Sequence, residues 1–251
     1  MSSRFNTDTG ALNTRADLNA SRARYDLEDW MLQFLPDLKG RRIVDLGCGS
    51  GKQVMRFAPL VGAEGSVLGL DASREAVAEV EAKAAAAGYA QVSAAQVRLD
   101  DVLAYLEERD FDLVTSSYAI YYASDFVGLM SALAGRIGSR GEVFVCGPGA
   151  GTNREMSDII AGLAPEAAYV ADFIDEAGLA ALSEAYAECE TFRLDNAISF
   201  RSAEEVMAWW RNHNSYDPLL ESRVRETLGE AFERSDRWEM TKSVLGVRCR
   251  V

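Results

Sequence analysis

Between Arg42 and Cys146 the chain alternates short apolar runs of β type with helix-forming stretches, and this alternation restricts the fold more than any other feature. Strands are expected at Arg42–Leu46, Ser66–Leu70, Ala94–Leu99, Phe111–Ser116 and Glu142–Cys146. Helices fit between them at Gln53–Leu60, Ser73–Ala87, Val102–Glu108 and Asp125–Arg136. Strands separated by helices imply a parallel sheet covered on both faces. The stretch Ser73–Ala87 is rich in alanine and glutamate and is closed by Gly88, a strong helix pattern with its stop signal. Upstream, behind a polar opening at Met1–Thr14, the apolar positions Leu18, Tyr25, Trp30, Leu32 and Leu35 predict one helix from Arg15 to Leu35, ended by Pro36. Downstream come helices at Glu155–Leu163 and Asp175–Tyr186, a strand at Thr191–Phe200, helices at Ser202–Asn212 and Leu219–Glu233, and a closing strand at Lys242–Val251.

The glycines mark where a ligand would approach. In VDLGCGSGKQ, Gly47, Gly49 and Gly51 lie between an expected strand and an expected helix, where backbone can come close to a bound molecule. A phosphate loop of the form GxxxxGK[ST] fails at both ends, because Leu46 stands five before Gly51 and Gln53 follows Lys52. A dinucleotide loop fails by one position, since Lys52 falls where the third glycine of GxGxxG belongs. Asp45, two residues before the first glycine, decides among the readings. A carboxylate there repels a pyrophosphate but suits a ligand with a sulfonium and an ammonium group. S-adenosylmethionine is such a ligand.

From this point the sequence resembles the class I S-adenosylmethionine-dependent methyltransferases. VDLGCGSG at 44–51 is close to the family's first motif, LGLDAS at 68–73 to the second, VRLDD at 97–101 to the third, and FDLVTSSYAIYYASD and GEVFVCGPG to the fourth and fifth strands. The resemblance implies a Rossmann-like α/β fold: a seven-stranded, mostly parallel sheet with helices on both faces, its last strand antiparallel and inserted beside the fifth. It implies that Asp71 grips the ribose hydroxyls and that Asp100 or Asp101 meets the adenine. Asp45, Gly47, Cys48, Gly49, Gly51, Ala72, Ser116, Ser117 and Tyr25 complete the implied cofactor contacts, with S-adenosylhomocysteine as product. The whole chain of 251 residues is expected to form one such domain, with an N-terminal helical segment at 1–35, a core at 36–200 and 237–251, and a helical insertion at 201–236.

The acceptor is expected to be a small molecule, methylated on oxygen or nitrogen. The formal net charge of −13 opposes a nucleic-acid or anionic-membrane partner, which needs a basic footprint. The stretch TSSY lacks the prolines found in amino-methylating enzymes of DNA, and no acids precede Asp125 after the fourth strand to hold a metal. An RNA or protein methyltransferase, or a protein that binds the cofactor without transfer, remains the alternative. SSYAIYYASD resembles small-molecule methyltransferases but carries Tyr121 where they have histidine. Tyr121 is therefore a candidate catalytic residue, and Tyr118 and Tyr122 candidate acceptor contacts, against simple packing of these rings on the sheet. Trp209, Trp210 and Tyr216 are further acceptor candidates, with helix packing the competing role for at least one tryptophan. His213, the single histidine, is either a residue interacting with the last carbonyls of its helix or a group that binds or deprotonates the acceptor. The loop Gly147–Asn153 and the helices between Ser202 and Glu233 are expected to form a mobile lid over the acceptor pocket.

Cysteines and apolar runs bound the setting. Cys48, Cys146, Cys189 and Cys249 are scattered and show no metal-ligand spacing, which predicts neither a zinc site nor a disulfide framework. Cys146 reads as a small buried hydrophobe. No apolar run is long enough for a bilayer, and the N-terminus lacks the core of a signal peptide. These features predict a reduced, soluble, cytoplasmic protein.

Overall fold

Neighbouring residues of the central strands bury on opposite sides, which explains why these strands read as unbroken apolar runs. Ile43, Val67 and Leu113 belong to one buried cluster, with Val54, Phe57 and Val61. Val44, Leu70 and Val114, on the same strands, belong to another with Leu129, Leu133 and Leu182. A sheet covered on both faces leaves no solvent side on which polar residues could alternate. The computed structural model describes residues 18–19, 21–107, 110–138, 140–164, 172–213 and 215–251.

Two compact units divide the chain. The larger contains residues 28–147, 172–193 and 245–251. Its strands are β1 (Arg42–Leu46), β2 (Ser66–Asp71), β3 (Val92–Gln96), β4 (Leu113–Ser117) and β5 (Glu142–Pro148), joined by the inner lengths of β6 (Glu188–Phe200) and β7 (Trp238–Arg250). The sheet order is β3-β2-β1-β4-β5-β7-β6. β1 pairs parallel with β2 on one side and with β4 on the other, so the chain reverses direction of travel across the sheet at β1. β7 is antiparallel: the Val251 amide bonds the Gly141 carbonyl at the start of β5, and the Ala187 amide bonds the Arg250 carbonyl. This is the inserted last strand that the family resemblance implied.

The helices of this unit are α1 (Leu27–Leu32), α2 (Lys52–Val61), α3 (Arg74–Ala87), α4 (Val102–Tyr105), α5 (Phe126–Ala134) and, after α6 (Arg154–Leu163) of the smaller unit, α7 (Glu176–Ala185). Local chemistry fixes their ends. The Ser73 hydroxyl accepts from the Ala76 amide to start α3, and Gly88, left-handed at φ 71°, stops it. Asp125 and Asp175 play the Ser73 role for α5 and α7.

The smaller unit comprises residues up to 27, 148–171 and 194–244. It holds α6 (Arg154–Leu163), α8 (Ala203–Arg211), α9 (Glu221–Arg234) and the outer lengths of β6 and β7. Met156, Ile160, Phe200, Met207, Trp209, Trp210, Val224 and Met240 form its core. Ion pairs from Arg211 to Glu204 and Glu221, and from Arg225 to the same two acids, tie α8 to α9.

Several expectations change. The helix expected from Arg15 to Leu35 is interrupted: Arg15–Asp17 and Ala20 lie outside the described residues, Leu18, Asn19, Ser21 and Arg22 are helical, but Ala23 then bridges Ile198 of β6, and only Leu27–Leu32 is helix up to Leu35. The Arg24 amide bonds the Ala197 carbonyl, and Asn196 clamps both backbone groups of Tyr25, so a strand edge has taken the bonds that a helix would need. β6 and β7 begin earlier than expected, at Glu188 and Trp238. The polar opening at Met1–Thr14 and Glu108, the expected end of the fourth helix, lie outside the described residues. No helix among the described residues is long and apolar enough to cross a membrane.

Cys189 and Cys249 form a disulfide, against the expectation from their spacing. They are 60 residues apart in sequence but sit on neighbouring strands, a proximity that spacing does not encode. Closing a loop of that length restricts the unfolded chain, so reducing the bond should lower stability by roughly 2–4 kcal/mol. Denaturant melts with and without reductant test this, with Cys249→Ser as the control that should not respond. Identical midpoints for the oxidised and reduced wild type would show that the bond does not form.

Candidate cofactor-binding site

All three glycines of the loop after β1 occupy the left-handed region, Gly47 at φ 67°, Gly49 at 51° and Gly51 at 82°. Close approach adds a second demand at two of them. A Cβ on Gly47 would stand 2.2 Å from the Ala119 Cβ, and one on Gly51 would stand 2.8 Å from Val80 Cγ2. The loop is therefore pressed between the end of β4 and α3.

Its amides are largely committed inside the protein. The Gly47 and Cys48 amides both bond the Leu70 carbonyl, the Gly51 amide bonds the Cys48 carbonyl, and the Gly49 amide donates to Asp71 Oδ2 at 2.9 Å. The other oxygen of Asp71 accepts from the Ser73 amide at 2.8 Å. Four amides turned inward, one of them onto a carboxylate, make a poor cradle for phosphate. Each carboxylate oxygen keeps a second lone pair, so Asp71 can still accept from a ligand hydroxyl.

Asp45 stands on β1 beneath the loop and is 1% exposed. Its Oδ1 accepts from the Thr115 hydroxyl at 2.7 Å, while Oδ2 is buried without a hydrogen-bond partner. Burial raises its pKa to about 7; the Thr115 bond opposes the shift and the Asp71 charge adds to it. A buried acid with an orphaned oxygen beside a second acid is suited to a positive group.

A cavity of about 470 Å³ opens beyond β2 and β3, lined by Ala72, Gln96, Val97, Arg98, Asp101 and Tyr105 among others. It lies past the carboxyl ends of the strands, where open α/β sheets take their ligands. Two of the lining residues are joined, the Gln96 amide nitrogen donating to the Ala72 carbonyl at 3.0 Å. Of the two acids open to the sequence reading, Asp101 lines this cavity. Asp100 instead accepts from the amide and hydroxyl of Ser124, which hold its carboxyl below the usual range.

Several expected contacts are turned to other work. Ser116 is buried with its hydroxyl on the Leu46 carbonyl, and the Ser117 hydroxyl lies 3.4 Å from Cys146 Sγ. Burial pushes the Cys48 thiol well above its ordinary range and the Cys146 thiol up to about 12, so neither is a ready nucleophile. Tyr118 has φ 56°, rare for a non-glycine residue, at the end of β4, and burial raises its phenol far above the usual value. Tyr121 packs on the half-exposed ring of Tyr122 and on Phe173, and Tyr121 and Phe173 close over Gly147, where a Cβ would meet Phe173 at 2.9 Å and Tyr121 at 3.0 Å.

In the smaller unit Trp209 and Trp210 are both fully buried, their indole N–H groups donating to Asn19 and to the Ser215 carbonyl. Packing thus takes both. Tyr216 stacks edge-on against Trp210 and donates to Glu221, and Tyr25 is half exposed. The His213 ring lies against Asn153 and Ser215, and the His213 amide bonds the Trp210 carbonyl at the end of α8. The sequence reading missed Arg98 within VRLDD and Gln96 and Tyr105 on either side of it, which share its cavity, and Phe173 and Lys242, for which no local motif exists; Asn153 was expected only as the end of the loop after β5.

The Asp45 geometry predicts a pH dependence of defined sign. Its folded pKa lies above the ordinary carboxylate value, so its contribution to stability is complete below about pH 4 and is lost as pH rises through about 7. Asp45→Asn, neutral throughout, should escape that loss. Its stability relative to wild type should grow from pH 4 to 8 by up to ~4 kcal/mol, the equivalent of roughly three pH units. A difference that stays flat across this range would show that Asp45 does not titrate there.

Comparison with known proteins closes the question of family. A methyltransferase-domain family model matches residues 37–191. The chain is 33% identical over 112 residues to an uncharacterized protein of Haemophilus influenzae, covering 44% of this chain and 43% of that one. It is 32% identical over 114 residues to the aklanonic acid methyltransferase DauC of a Streptomyces species, covering 43% and 51%. The chain thus spans about half the length of these curated relatives. The crystal structure of the YcgJ protein of Bacillus subtilis superposes with a TM-score of 0.56 at 16% identity, covering 88% of this chain and 97% of that one, a likeness of fold. The chain belongs to the class I S-adenosylmethionine-dependent methyltransferases.

Proposed function

We propose that the protein transfers the methyl group of S-adenosylmethionine to an oxygen or nitrogen of a small-molecule metabolite. The observation that carries this reading is the orphaned, buried Oδ2 of Asp45 under a glycine loop whose amides face inward. A ligand with a positively charged methionyl end fits that electrostatic setting, and a phosphate does not. Asp71 would accept from the ribose hydroxyls with its remaining lone pairs, and Asp101 with Ala72 would border the adenine in the cavity beyond β3. Gly47, Cys48, Gly49 and Gly51 would meet the cofactor through backbone and shape.

Transfer from a sulfonium is an in-line displacement. The acceptor atom forms a bond to the methyl carbon, the carbon–sulfur bond breaks, and its electron pair returns to sulfur, giving neutral S-adenosylhomocysteine. The protein has to align the two partners, exclude water and take up any acceptor proton. The rings of Tyr121 and Tyr122 offer an apolar wall for a small acceptor, and the net charge of −13 weighs against RNA as the acceptor. The name of the Streptomyces relative, a methyltransferase of aklanonic acid, supports a small molecule of this general kind.

Calorimetry tests the cofactor half. S-adenosylmethionine and its demethylated product should both bind, and NAD should not. Asp71→Asn keeps one accepting oxygen for the loop but loses the charge, and should weaken binding by about 1.5–3 kcal/mol. Methyl-labelled cofactor with fractionated cell extract tests the acceptor half. Label in a small metabolite, identified by mass spectrometry, is the expected result. Label confined to RNA or protein would overturn the substrate class, and tight NAD binding without S-adenosylmethionine binding would overturn the whole reading.

A further inference from the structure

Asn153 is buried in the left-handed region at φ 58°, on the loop that leaves β5 in the smaller unit. The backbone around it is fixed to β7: its amide bonds the Thr241 carbonyl, the Gly149 amide bonds the Ser243 carbonyl, and Glu155 accepts from the amide and hydroxyl of Thr241. Its side chain stands between two others. Lys242 Nζ donates to Oδ1 at 2.6 Å, and Nδ2 faces Nε2 of His213 at 3.3 Å. The His213 ring stacks on Trp209 with centroids 4.7 Å apart, and its Nδ1 lies 2.7 Å from the Ser215 hydroxyl.

These partners do not have equal freedom. An ammonium can only donate, so Lys242 dictates that the amide oxygen turn towards it and the amide nitrogen towards the ring. The amide nitrogen can only donate in turn, so Nε2 must present a lone pair. A neutral imidazole has one ring proton, which then sits on Nδ1 and is donated to the Ser215 hydroxyl oxygen. Among the described contacts, one opposes this order: the Ser215 backbone N–H points at Nδ1 from 3.2 Å and favours the other tautomer. Satisfying it would turn Asn153 over and set its NH₂ against the ammonium at 2.6 Å, donor to donor. A charge-assisted bond is roughly twice as strong as a neutral one, so the Lys242 side prevails.

We propose that Lys242 and Asn153 are positioning residues that hold His213 as its Nδ1–H tautomer, with Nε2 as the proton-accepting atom. The use of this arrangement rests on the methyl-transfer reading. In that reading an unprotonated Nε2 is the ring atom able to take a proton from an O–H or N–H acceptor.

Nitrogen NMR of the full chain tests the proposal without any acceptor. His213 is the only histidine, so histidine labelled with nitrogen-15 gives a single pair of ring signals. In slightly alkaline buffer, Nδ1 should resonate as a protonated ring nitrogen and Nε2 as an unprotonated one. Lys242→Arg, still a pure donor, should keep this pattern. Lys242→Met frees the amide to turn and should bring the two signals towards averaged positions. Asn153→Asp replaces the NH₂ with an acceptor and should shift the proton to Nε2. A wild-type spectrum of the Nε2–H form would overturn the proposal, and so would one pattern shared by wild type and Lys242→Met. This readout is independent of cofactor binding and turnover, so its failure leaves the calorimetric test of the methyltransferase reading intact.

Discussion

One carboxylate, that of Asp71, organises the cofactor edge of the larger unit. It ends β2 and receives the Gly49 amide on one oxygen and the Ser73 amide on the other. The first bond folds the glycine loop onto the second strand. The second sets the residue that caps α3, so the loop and the helix it presses against are registered from a single point. The same bonds decide the electrostatics. With its amides bound to Leu70, Cys48 and Asp71, the loop shows a ligand mainly shape and negative charge, the reverse of an anion-binding turn.

Asp45 shows what that arrangement costs the free protein. A buried acceptor left without a donor costs about 1–3 kcal/mol, and the nearby Asp71 charge adds repulsion. Nothing in the core needs an acid there, since the neighbouring strand residues Val44 and Leu46 are apolar and buried. A local conflict of this kind, set in an otherwise consistent sheet, is the signature of a site shaped for something other than stability. The stability comes instead from two apolar layers, one on each side of the sheet, that do not involve the conflict.

What the sequence disclosed follows how far each constraint reaches along the chain. Strand–helix alternation was legible because each strand is buried on both faces and each helix carries its own cap and stop. The glycine loop was legible because three left-handed residues and their neighbouring acid lie within seven positions, 45–51. The choice between Asp100 and Asp101 was not, because adjacent residues on a short turn point to different sides and only the Ser124 contacts reveal which. The break in the first helix was hidden for a related reason. Its apolar spacing is helical, yet Ala23 and Arg24 pair with the edge of β6, more than 170 residues away, and tertiary pairing overrides local propensity. The Cys189–Cys249 bond, the contact of Phe173 with Gly147 and the Lys242–Asn153 bond are likewise joined only by the fold.

That difference in reach separates cofactor chemistry from acceptor chemistry. The loop, Asp45 and Asp71 are built from β1 and β2 and the turns after them, so one contiguous stretch carries most of the geometry a common cofactor requires. The polar and aromatic groups considered for the acceptor come from the turn after β4, the loop after β5, the end of α8 and β7. The hydrogen bonds of the glycine loop run to Leu70, Cys48 and Asp71, and not to these groups. A fold arranged in this way can keep its cofactor while its acceptor changes, which is why family membership is read from the first segment and substrate has to be read from the others. His213 illustrates the point: its residue type was visible from the start, but the nitrogen that holds its proton depends on a lysine and an asparagine brought to it by two other elements.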